Sequence, residues 1–370
     1  MQSIIEILIV FVGLAFTPLL FYRFPRLAKS RSTANLATLS VIIPARNEAE
    51  NLPLLLEDLR NQSYKPFEII CVDDDSSDNT AEIAASSGVR VISLHNKPDG
   101  WIGKTWACQN GANAARGDLL LFLDADVRLA QNGMQRLMRT YSEHGCTISV
   151  QPYHKTETWY EQCSILFSLV QIAANGTLLP KPMGVGLHGP VILVSKTDYN
   201  KVEGHESVKN NIVDDLALGK RLRDSGIPYR LYVGDSDISY RMYSGGLRSL
   251  FQGWTKNILS GAANTPPLLL GMMFIWIASM TSVPIHAALF AGSENWPWFI
   301  LYTTLYILWA AVLYVLSKQA GCFRLLPIAL YPLLIIVFFI IFIASIVKGA
   351  LGLKVVWKGR DVKGGNKSCK

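Results

Sequence analysis

Four long apolar blocks constrain the fold of this chain more than any other feature. They span residues 4–22, 267–291, 297–316 and 325–347, and each is long enough to cross a bilayer or to enter it. Hydrophobic residues make up 50% of the 370 residues, and the excess is concentrated in these blocks. The sequence therefore predicts a multi-pass protein of the cell membrane.

The first block is followed at once by basic residues, namely Arg23, Arg26, Lys29 and Arg31. The positive-inside rule places the chain after this block in the cytoplasm. A cleaved signal peptide is the alternative, but no basic residue precedes the apolar run and no small-x-small site follows it. We therefore expect a transmembrane anchor over residues 1–22 and a basic cytoplasmic linker over residues 23–38.

Three membrane crossings by the later apolar blocks would conflict with the charge of the C-terminal tail. Residues 348–370 hold seven basic residues and one acid, which favours the cytoplasm, whereas three crossings would export this tail. We therefore expect two to three full crossings within residues 267–347. The candidate for an incomplete crossing is the block 267–291, which Pro284 is expected to interrupt.

The net charge of +7 does not point to nucleic acid. The basic residues adjoin apolar blocks, where anionic lipid is the simpler partner, so we expect a membrane partner and no nucleic acid. The six cysteines show no paired spacing, which argues against a disulfide framework and a zinc site.

The region between the blocks has the pattern of an α/β domain, residues 39–262. Short β-rich runs alternate with helix-like stretches, at 39–43, 68–72, 89–94 and 119–123. This alternation predicts a mostly parallel sheet, with its ligand beyond the carboxyl ends of the strands. The apolar stretch 164–179 is either an interfacial helix or a buried core helix.

Acidic residues follow two of these strands. Asp73 and Asp74 end the second, and such carboxylates can accept hydrogen bonds from a uracil imide or from ribose hydroxyls. Capping of the next helix is the alternative and suits Asp78. Asp124 and Asp126 follow a run of five apolar residues, and in an extended chain both would point to one side. The pair predicts a hard divalent cation, Mg²⁺ or Mn²⁺, that bridges a diphosphate.

A third acidic pair, Asp214 and Asp215, opens a predicted helix. These acids either compensate the helix dipole or supply a general base that takes a proton from an acceptor hydroxyl. Lys104 stands at another helix start, where a cation is unfavourable without a partner. A donor diphosphate is the predicted partner of Lys104.

At these residues the chain resembles family 2 glycosyltransferases, which are inverting enzymes that use nucleotide-diphosphate sugars. The matching stretches lie at 43–48, 72–80, 124–126 and 214–215. The resemblance implies a GT-A domain, which is Rossmann-like, between an N-terminal transmembrane helix and C-terminal transmembrane helices. Processive relatives carry a Gln-x-x-Arg-Trp motif, and the departure at 252–256 argues against polymer synthesis.

The resemblance also implies a role for each site residue. Around the uridine it places Pro44, Arg46, Asn47, Glu48, Asp73 and Asp74. It assigns the diphosphate to Lys104 and Asp124, the metal to Asp126 with Asp124, and the base to the Asp214–Asp215 pair.

Several further stretches resemble the glycosyltransferases of carotenoid synthesis that act on 4,4'-diaponeurosporenoate. They include Ser149 to His154, His188 to Val191 and Gln252 to Lys256. This resemblance implies UDP-glucose as donor, a carotenoid carboxylic acid as lipid acceptor, and a glucosyl ester as product. The acceptor candidates are His154, His188, Gln252 and Trp254, although Trp254 could equally be a membrane-interface residue.

Three alternatives stay open at this point. A hopanoid or polyprenyl-phosphate glycosyltransferase shares much of the pattern, and Arg221, Arg223 and Arg241 could contact a phosphate acceptor. A membrane transporter is the non-enzymatic alternative. Transport sites usually place ionisable residues within membrane helices, where this chain has little beyond Glu6 and His286.

Overall fold

The computed structural model describes residues 2–28, 37–351, 355–357 and 360–362. Parts of the predicted basic linker and tail therefore lie outside the described residues: 29–36, 352–354, 358–359 and 363–370. The chain divides into two compact units. The helical unit comprises Met1–Phe24, His154–Val185 and Tyr243–Val347, and the sheet unit comprises Pro25–Tyr153, Gly186–Met242 and Lys348–Lys370.

The helices and strands have the following bounds. The α-helices are α1 Gln2–Leu20, α2 Leu52–Arg60, α3 Thr80–Ser86, α4 Gly103–Ala114, α5 Gly133–His144, α6 Ile165–Ala174, α7 Lys196–Lys201, α8 Asp214–Asp224, α9 Leu247–Asn264, α10 Pro267–Ala291, α11 Trp296–Ala320, α12 Leu325–Ala329 and α13 Tyr331–Ala350. The strands are β1 Leu39–Ala45, β2 Glu68–Asp73, β3 Arg90–Ser93, β4 Leu119–Leu123, β5 Val127–Leu129, β6 Thr147–Gln151, β7 Tyr153–His154, β8 Val191–Ser195, β9 Tyr229–Val233, β10 Ile238–Tyr240, β11 Val355–Trp357 and β12 Arg360–Val362. Two 3₁₀ helices cover Tyr160–Ser164 and Gly204–Val208.

The sheet unit is built on a seven-stranded sheet in the order β3-β2-β1-β4-β8-β6-β9. Strand β8 runs antiparallel to both of its neighbours, β4 and β6, and the other pairings are parallel. The predicted α/β fold with a mostly parallel sheet is confirmed, and the four predicted strands correspond to β1 to β4.

The central strands are apolar on both faces because helices cover both sides of the sheet. Along β4, Leu121 and Leu123 belong to the core under α2 and α5, whereas Leu120 and Phe122 belong to the core with α4 and α8. All five residues of β4 are buried. This two-sided burial explains the continuous apolar run in the sequence and places its acidic end at the rim of the sheet.

In the helical unit, α10, α11 and α13 are long and apolar enough to cross a membrane. The predicted N-terminal block forms α1, whose apolar part Ile5–Leu20 is shorter than these three helices. Helix α1 lies antiparallel along α10: Glu6 Oε2 is 2.7 Å from His286 Nε2, and Trp276 Nε1 donates to Thr17 Oγ1 at 3.1 Å. These helices make the protein membrane-associated.

Two helix predictions in this unit need correction. Helix α10 runs without a break through Pro284, so the predicted interruption there is wrong. Membrane helices tolerate an internal proline because neighbouring groups can satisfy the freed backbone carbonyl. The break lies instead in the third C-terminal block, which forms two helices, α12 and α13, separated at Leu330.

The apolar stretch 164–179 contains α6, which belongs to the helical unit. Most of its side chains are buried, including Ile165, Phe167 and Ile172. One of its rings, Phe167, stacks on Trp254 of α9 with ring centroids 4.9 Å apart. Helices α6 and α9 therefore pack together through aromatic side chains.

Candidate active site

The loops that follow β1 and β2 are tied to each other. Arg46 Nη1 donates hydrogen bonds to the carbonyl oxygen of Asp74 and, at 2.7 Å, to that of Asp75. Asn47 has a φ of 51°, and its Oδ1 accepts a hydrogen bond from Ser77 N at 2.8 Å. Asparagine tolerates this left-handed conformation better than most residues. The loop expected to surround a uridine is thus held by both backbone and side-chain bonds.

The other two residues expected at the uridine belong to the same pair of loops. Pro44 lies in β1 opposite Val72 of β2. Glu48 N donates to Thr80 Oγ1 at 2.9 Å, and its Oε2 accepts from Asn51 Nδ2 at 2.8 Å. These contacts fix the entry to α2 and α3 beside the predicted nucleotide pocket.

The acids after β2 have separate surroundings. Asp73 and Asp74 are buried, and Asp73 Oδ2 accepts from Ser76 N at 3.3 Å, whereas Oδ1 has no hydrogen-bond partner among the described residues. Asp78 accepts from Thr80 N at 3.1 Å and Ala49 N at 3.2 Å. Partial burial raises the pKa of Asp78, but these bonds and the Thr80 hydroxyl outweigh it and lower the pKa. Asp78 thus stabilises the loop, while Asp73 keeps an acceptor atom available for a ligand.

Lys104 has a protein partner at the start of α4. Its Nζ lies 2.5 Å from Asp124 Oδ1, directly after β4. Burial lowers the pKa of Lys104, but the negative charges of Asp124 and Asp214 outweigh it, so the pKa of Lys104 is raised. Lys104, for which the sequence predicted no protein partner, is therefore paired with acidic residues of the sheet unit.

Asp124 and Asp126 do not lie in extended chain. Val127 N donates to Asp124 O at 3.1 Å, so the chain turns between β4 and β5, and the premise that both side chains point to one side of a strand is wrong. Asp126 lies near the phenol of Tyr240, whose pKa is raised first by burial and then by this negative charge. The turn gives the two carboxylates different neighbours.

Among the described residues no group of three or more histidines, cysteines, aspartates or glutamates could hold a metal ion alone. The pair Asp124 and Asp126 still fits a hard divalent cation, because Mg²⁺ commonly takes one or two protein carboxylates and completes its shell with phosphate and water oxygens. Any such site would thus depend on a bound diphosphate.

The third acidic pair lies in the first turn of α8, as predicted. Asp214 is buried, and its Oδ2 lies 3.6 Å from His205 Nε2. Asp215 Oδ1 accepts a hydrogen bond from Leu216 N at 2.9 Å. Burial, followed by repulsion from Asp214, raises the pKa of Asp215 to about 7. A carboxyl group in this range can exchange a proton near neutral pH.

Close approach to this pair requires glycine at one position. A Cβ added to Gly189 would lie 2.8 Å from Asp215 Oδ2. The next residue, Pro190, accepts a hydrogen bond from Asp124 N at 3.0 Å through its carbonyl oxygen. The segment before β8 therefore touches both the predicted base and the predicted diphosphate residue.

One member of the site was not anticipated from the sequence. His205 is buried, and its Nδ1 lies 2.8 Å from the Tyr199 hydroxyl. Burial lowers the pKa of His205 to about 4, so the ring is neutral at pH 7. The Tyr199 hydroxyl also donates to Gln109 Oε1 at 3.1 Å, and the other ring nitrogen of His205, Nε2, faces Asp214. Nothing in the local sequence marks His205, because this geometry depends on α7, the 3₁₀ helix and α8 together.

The four acceptor candidates fall in different units. His188 lies in the sheet unit, where its N donates to Ser149 Oγ at 2.6 Å and burial lowers its pKa to about 3. His154, Gln252 and Trp254 lie in the helical unit. There Trp254 Nε1 donates to Ser164 Oγ at 3.1 Å, and the indole is buried. Their contact with an acceptor stays a prediction.

The sheet brings the two acidic clusters to one edge. Strands β2, β1 and β4 are neighbours and parallel, so their carboxyl ends lie together. Neighbouring strands are about 4.8 Å apart, which puts Asp73 and Asp124 roughly 10 Å from each other. Lys104 links Asp124 electrostatically to Asp214 and Asp215. This edge presents acids together with the cations Lys104 and Arg46 within the span of a single extended ligand.

The chain belongs to the family 2 glycosyltransferases. The sequence model described as "Glycosyl transferase family 2" matches residues 40–170. The chain is also 34% identical, over 90% of its length and 90% of the relative's, to 4,4'-diaponeurosporenoate glycosyltransferase of Staphylococcus haemolyticus (strain JCSC1435). The enzyme of the same name from Staphylococcus aureus (strain USA300) is 32% identical over 95% of this chain and 96% of its own.

A solved structure confirms the fold. A mannosyltransferase from Pyrobaculum calidifontis, solved in complex with GDP-Man and Mn²⁺, superposes with a TM-score of 0.53. The match covers 88% of this chain and 99% of the mannosyltransferase, at 15% sequence identity. The predicted GT-A fold is thus confirmed, and the family makes the protein an enzyme that transfers a sugar.

Proposed function

We propose that this enzyme transfers glucose from UDP-glucose to a carotenoid carboxylic acid in the membrane and forms a glucosyl ester. The names of the relatives, at 34% and 32% identity, support this acceptor. The observation that carries the proposal is the contact of Lys104 with Asp124 beside Asp214 and Asp215. A cation and a group of acids at one sheet edge suit a diphosphate donor and an acceptor whose oxygen attacks the sugar.

The donor nucleotide would occupy the tied loops after β1 and β2. Asp73 Oδ1 is a buried acceptor that a uracil imide or a ribose hydroxyl would satisfy. Arg46, Asn47 and Glu48 hold the loop in shape through the bonds described above. Lys104 would share its charge between Asp124 and a phosphate oxygen of the donor.

Asp126 and Asp124 would hold Mg²⁺ or Mn²⁺ together with the diphosphate. When bound, such a cation neutralises charge that develops on the leaving group. The mannosyltransferase of the same fold was solved with Mn²⁺, which supports a divalent cation.

Asp215 would act differently on different acceptors. A carboxylate acceptor is already ionised above about pH 5.5 and needs no base, since ordinary carboxyl pKa values lie near 4. Protonated Asp215 can then donate a hydrogen bond to this anion instead of repelling it. A hydroxyl acceptor, in contrast, needs ionised Asp215 to take its proton as it attacks the anomeric carbon.

The pH dependence therefore distinguishes the two classes of acceptor. The pKa of Asp215 is raised to about 7. With a carboxylate acceptor, kcat/KM should stay level between about pH 5.5 and 7 and fall at higher pH, as Asp215 ionises. With the matching alcohol, kcat/KM should rise over the same interval.

The experiment uses the full chain in lipid nanodiscs with radiolabelled UDP-glucose. The acceptors are a C30 carotenoid carboxylic acid and its reduced alcohol, and the labelled products are identified by mass. Preferential glucosylation of the acid, with a decline above pH 7, supports the proposal. Preferential glucosylation of the alcohol would instead support the alternative of a hopanoid glycosyltransferase. No transfer from UDP-glucose, while another nucleotide sugar reacts, would reject the proposed donor.

The polyprenyl-phosphate alternative receives little support from two of the three arginines that suggested it. Arg221 pairs with Glu203 at 3.6 Å, and Arg223 pairs with Asp224 at 3.7 Å. Both arginines lie at the end of α8 opposite Asp214, about 10 Å or more along the helix axis. Family membership likewise favours an enzyme over the transporter considered above.

We further propose that the catalytic edge faces the cytoplasm. The basic residues that follow α1, among them Arg23 and Arg26, support this orientation through the positive-inside rule. The six cysteines without paired spacing agree with a reducing compartment.

A further inference from the structure

The third C-terminal apolar block differs from the other two because it is broken. Helix α12 has five residues, and α13 follows after Leu330. By length and composition α13 could cross a membrane. The contacts of this block within the helical unit nevertheless show a different path.

The block begins beside α6. Cys322 N, just after α11, donates to His154 O at 2.8 Å. The His154 ring in turn lies 3.0 Å from Ser168 Oγ on α6, through Nδ1. The chain that leaves α11 is therefore attached next to Ser168 before α12 begins.

The middle of the block lies against α11. The Tyr306 hydroxyl donates to Ala329 O at 2.5 Å, and its ring centroid lies 4.8 Å from that of Tyr331. Tyr306 precedes the end of α11, Ala320, by fourteen residues, or about 21 Å of helix. Between Cys322 and Tyr331 the chain therefore runs back along α11, toward the beginning of that helix.

The block then returns to α6. The rings of Phe338 and Phe167 have centroids 5.0 Å apart, and Phe167 is the neighbour of Ser168. Further on, Ser345 Oγ donates to Thr255 O of α9 at 2.7 Å. Cys322 and Phe338 are therefore attached, directly or through His154, to two adjacent residues of α6.

The chain leaves the neighbourhood of Phe167 and Ser168 on α6 and then returns to it. Such a path does not cross a bilayer from one side to the other. The return from Tyr331 to Phe338 covers seven residues, or about 10 Å of helix. The hydrocarbon core of a bilayer is about 30 Å thick. The turning point near Tyr331 therefore lies about 10 Å from the point of attachment by the length of α13 and about 21 Å by the distance along α11, and both values are below that thickness.

We propose that α12 and α13 form a re-entrant hairpin that embeds in one leaflet and returns the chain to the side on which α11 ends. The partner of its exposed face is the acyl-chain layer of that leaflet. This face carries Leu333, Ile336, Ile340, Ile343 and Ile346, each between 46% and 58% exposed. The opposite face, with Ile335, Phe338 and Ile341, is buried.

Two features argue for lipid as the occupant of this face. The exposed residues recur every three to four positions, as in an amphipathic interfacial helix, but without polar side chains among them. Lys348 lies in the last turn of α13, and the residues after this helix are rich in lysine and arginine, which suits anionic headgroups. The hairpin also resolves the conflict between three C-terminal crossings and a basic tail that favours the cytoplasm. With the hairpin, only α10 and α11 cross the membrane after the sheet unit.

The first test determines the sides of two cysteines with a membrane-impermeant maleimide. One reporter is the native Cys369, and the other is Glu294→Cys in the exposed loop between α10 and α11, each in a chain with the remaining cysteines replaced. Right-side-out and inside-out vesicles are compared, with detergent-solubilised samples for normalisation. The hairpin predicts labelling from opposite sides. Labelling of both reporters from the same side would overturn it.

The second test measures depth along α13. Nitroxide labels on cysteines introduced at Leu333, Ile340 and Ile346 are compared by their accessibility to oxygen and to a water-soluble nickel complex. The hairpin predicts the deepest position at Leu333 and a steady decrease toward Ile346. A maximum at Ile340, with both ends shallow, is the pattern of a full crossing and would contradict the proposal. Neither test depends on which sugar or acceptor the enzyme uses.

Discussion

In two regions of the sheet unit, the pKa values of aspartates are shifted in opposite directions. In the uridine-side region, residues 46–80, Asp78 is surrounded by N–H and O–H donors, and its pKa is lowered. In the transfer region, formed by Lys104, Asp124, Asp214 and Asp215, the acids face a lysine and each other, and the pKa of Asp215 is raised.

This difference shows what each region can contribute. Donors fix a carboxylate in its charged form and hold a loop in one shape, which suits recognition of a nucleotide. Acids crowded around one cation keep a proton that can be given or taken, which suits the transfer step. Substitutions in the transfer region should therefore affect kcat, and those in the uridine-side region should affect KM.

The largest effect is expected for Asp126→Asn. Loss of this carboxylate weakens the predicted metal site, so kcat should fall by roughly a thousand-fold or more with any acceptor. Steady-state kinetics at saturating UDP-glucose, over a titration of Mg²⁺ and Mn²⁺, provide the measurement. The exposed Asp99→Asn variant serves as the control. Undiminished turnover of Asp126→Asn would reject the metal assignment.

The next largest effect concerns Asp215→Asn. With an alcohol acceptor, kcat should fall by roughly a hundred- to ten-thousand-fold, because the general base is lost. With a carboxylate acceptor the amide can still donate a hydrogen bond, so the decrease should stay below about ten-fold. The matched control is Asp224→Asn, an exposed acid at the far end of the same helix. Equal losses with both acceptors would contradict the assigned role.

A smaller effect is expected for the positioning residue His205. His205→Phe keeps much of the ring volume but removes Nε2, which faces Asp214. A displaced Asp214 should lower kcat by about ten-fold and leave the KM for UDP-glucose unchanged. Tyr199→Phe, which removes the hydroxyl that orients His205, should have a weaker effect in the same direction. A change confined to KM would argue against positioning of Asp214.

The smallest effect is expected in the uridine-side region. Asn47→Gly keeps the left-handed backbone available and loses the bond to Ser77, about 1 kcal/mol. Asn47→Ala loses the same bond and adds about 1 kcal/mol of backbone strain. The KM for UDP-glucose should therefore rise several-fold in the glycine variant and further in the alanine variant, with kcat unchanged. A lower kcat in either variant would break the division between the two regions.

The sequence predicts the strands and their acidic ends because apolar runs and their punctuation are local signals. The run 119–123 and the pairs at 73–74 and 214–215 all lie where expected. The turn after Asp124, the partner of Lys104 and the place of His205 were not predicted. Each depends on contacts between residues far apart in the chain, such as Asp124 N with Pro190 O. The break at Leu330 was likewise missed, because both α12 and α13 are apolar.

The most direct test of this account is the pH dependence of kcat/KM in the wild type and in Asp214→Asn. Repulsion from Asp214 contributes to the raised pKa of Asp215, which lies at about 7. Removing that charge should therefore lower the pKa of Asp215 and move the ionisation seen in kcat/KM to lower pH. An ionisation that stays at the same pH in Asp214→Asn would show that the two acids do not share one site, and would contradict the account.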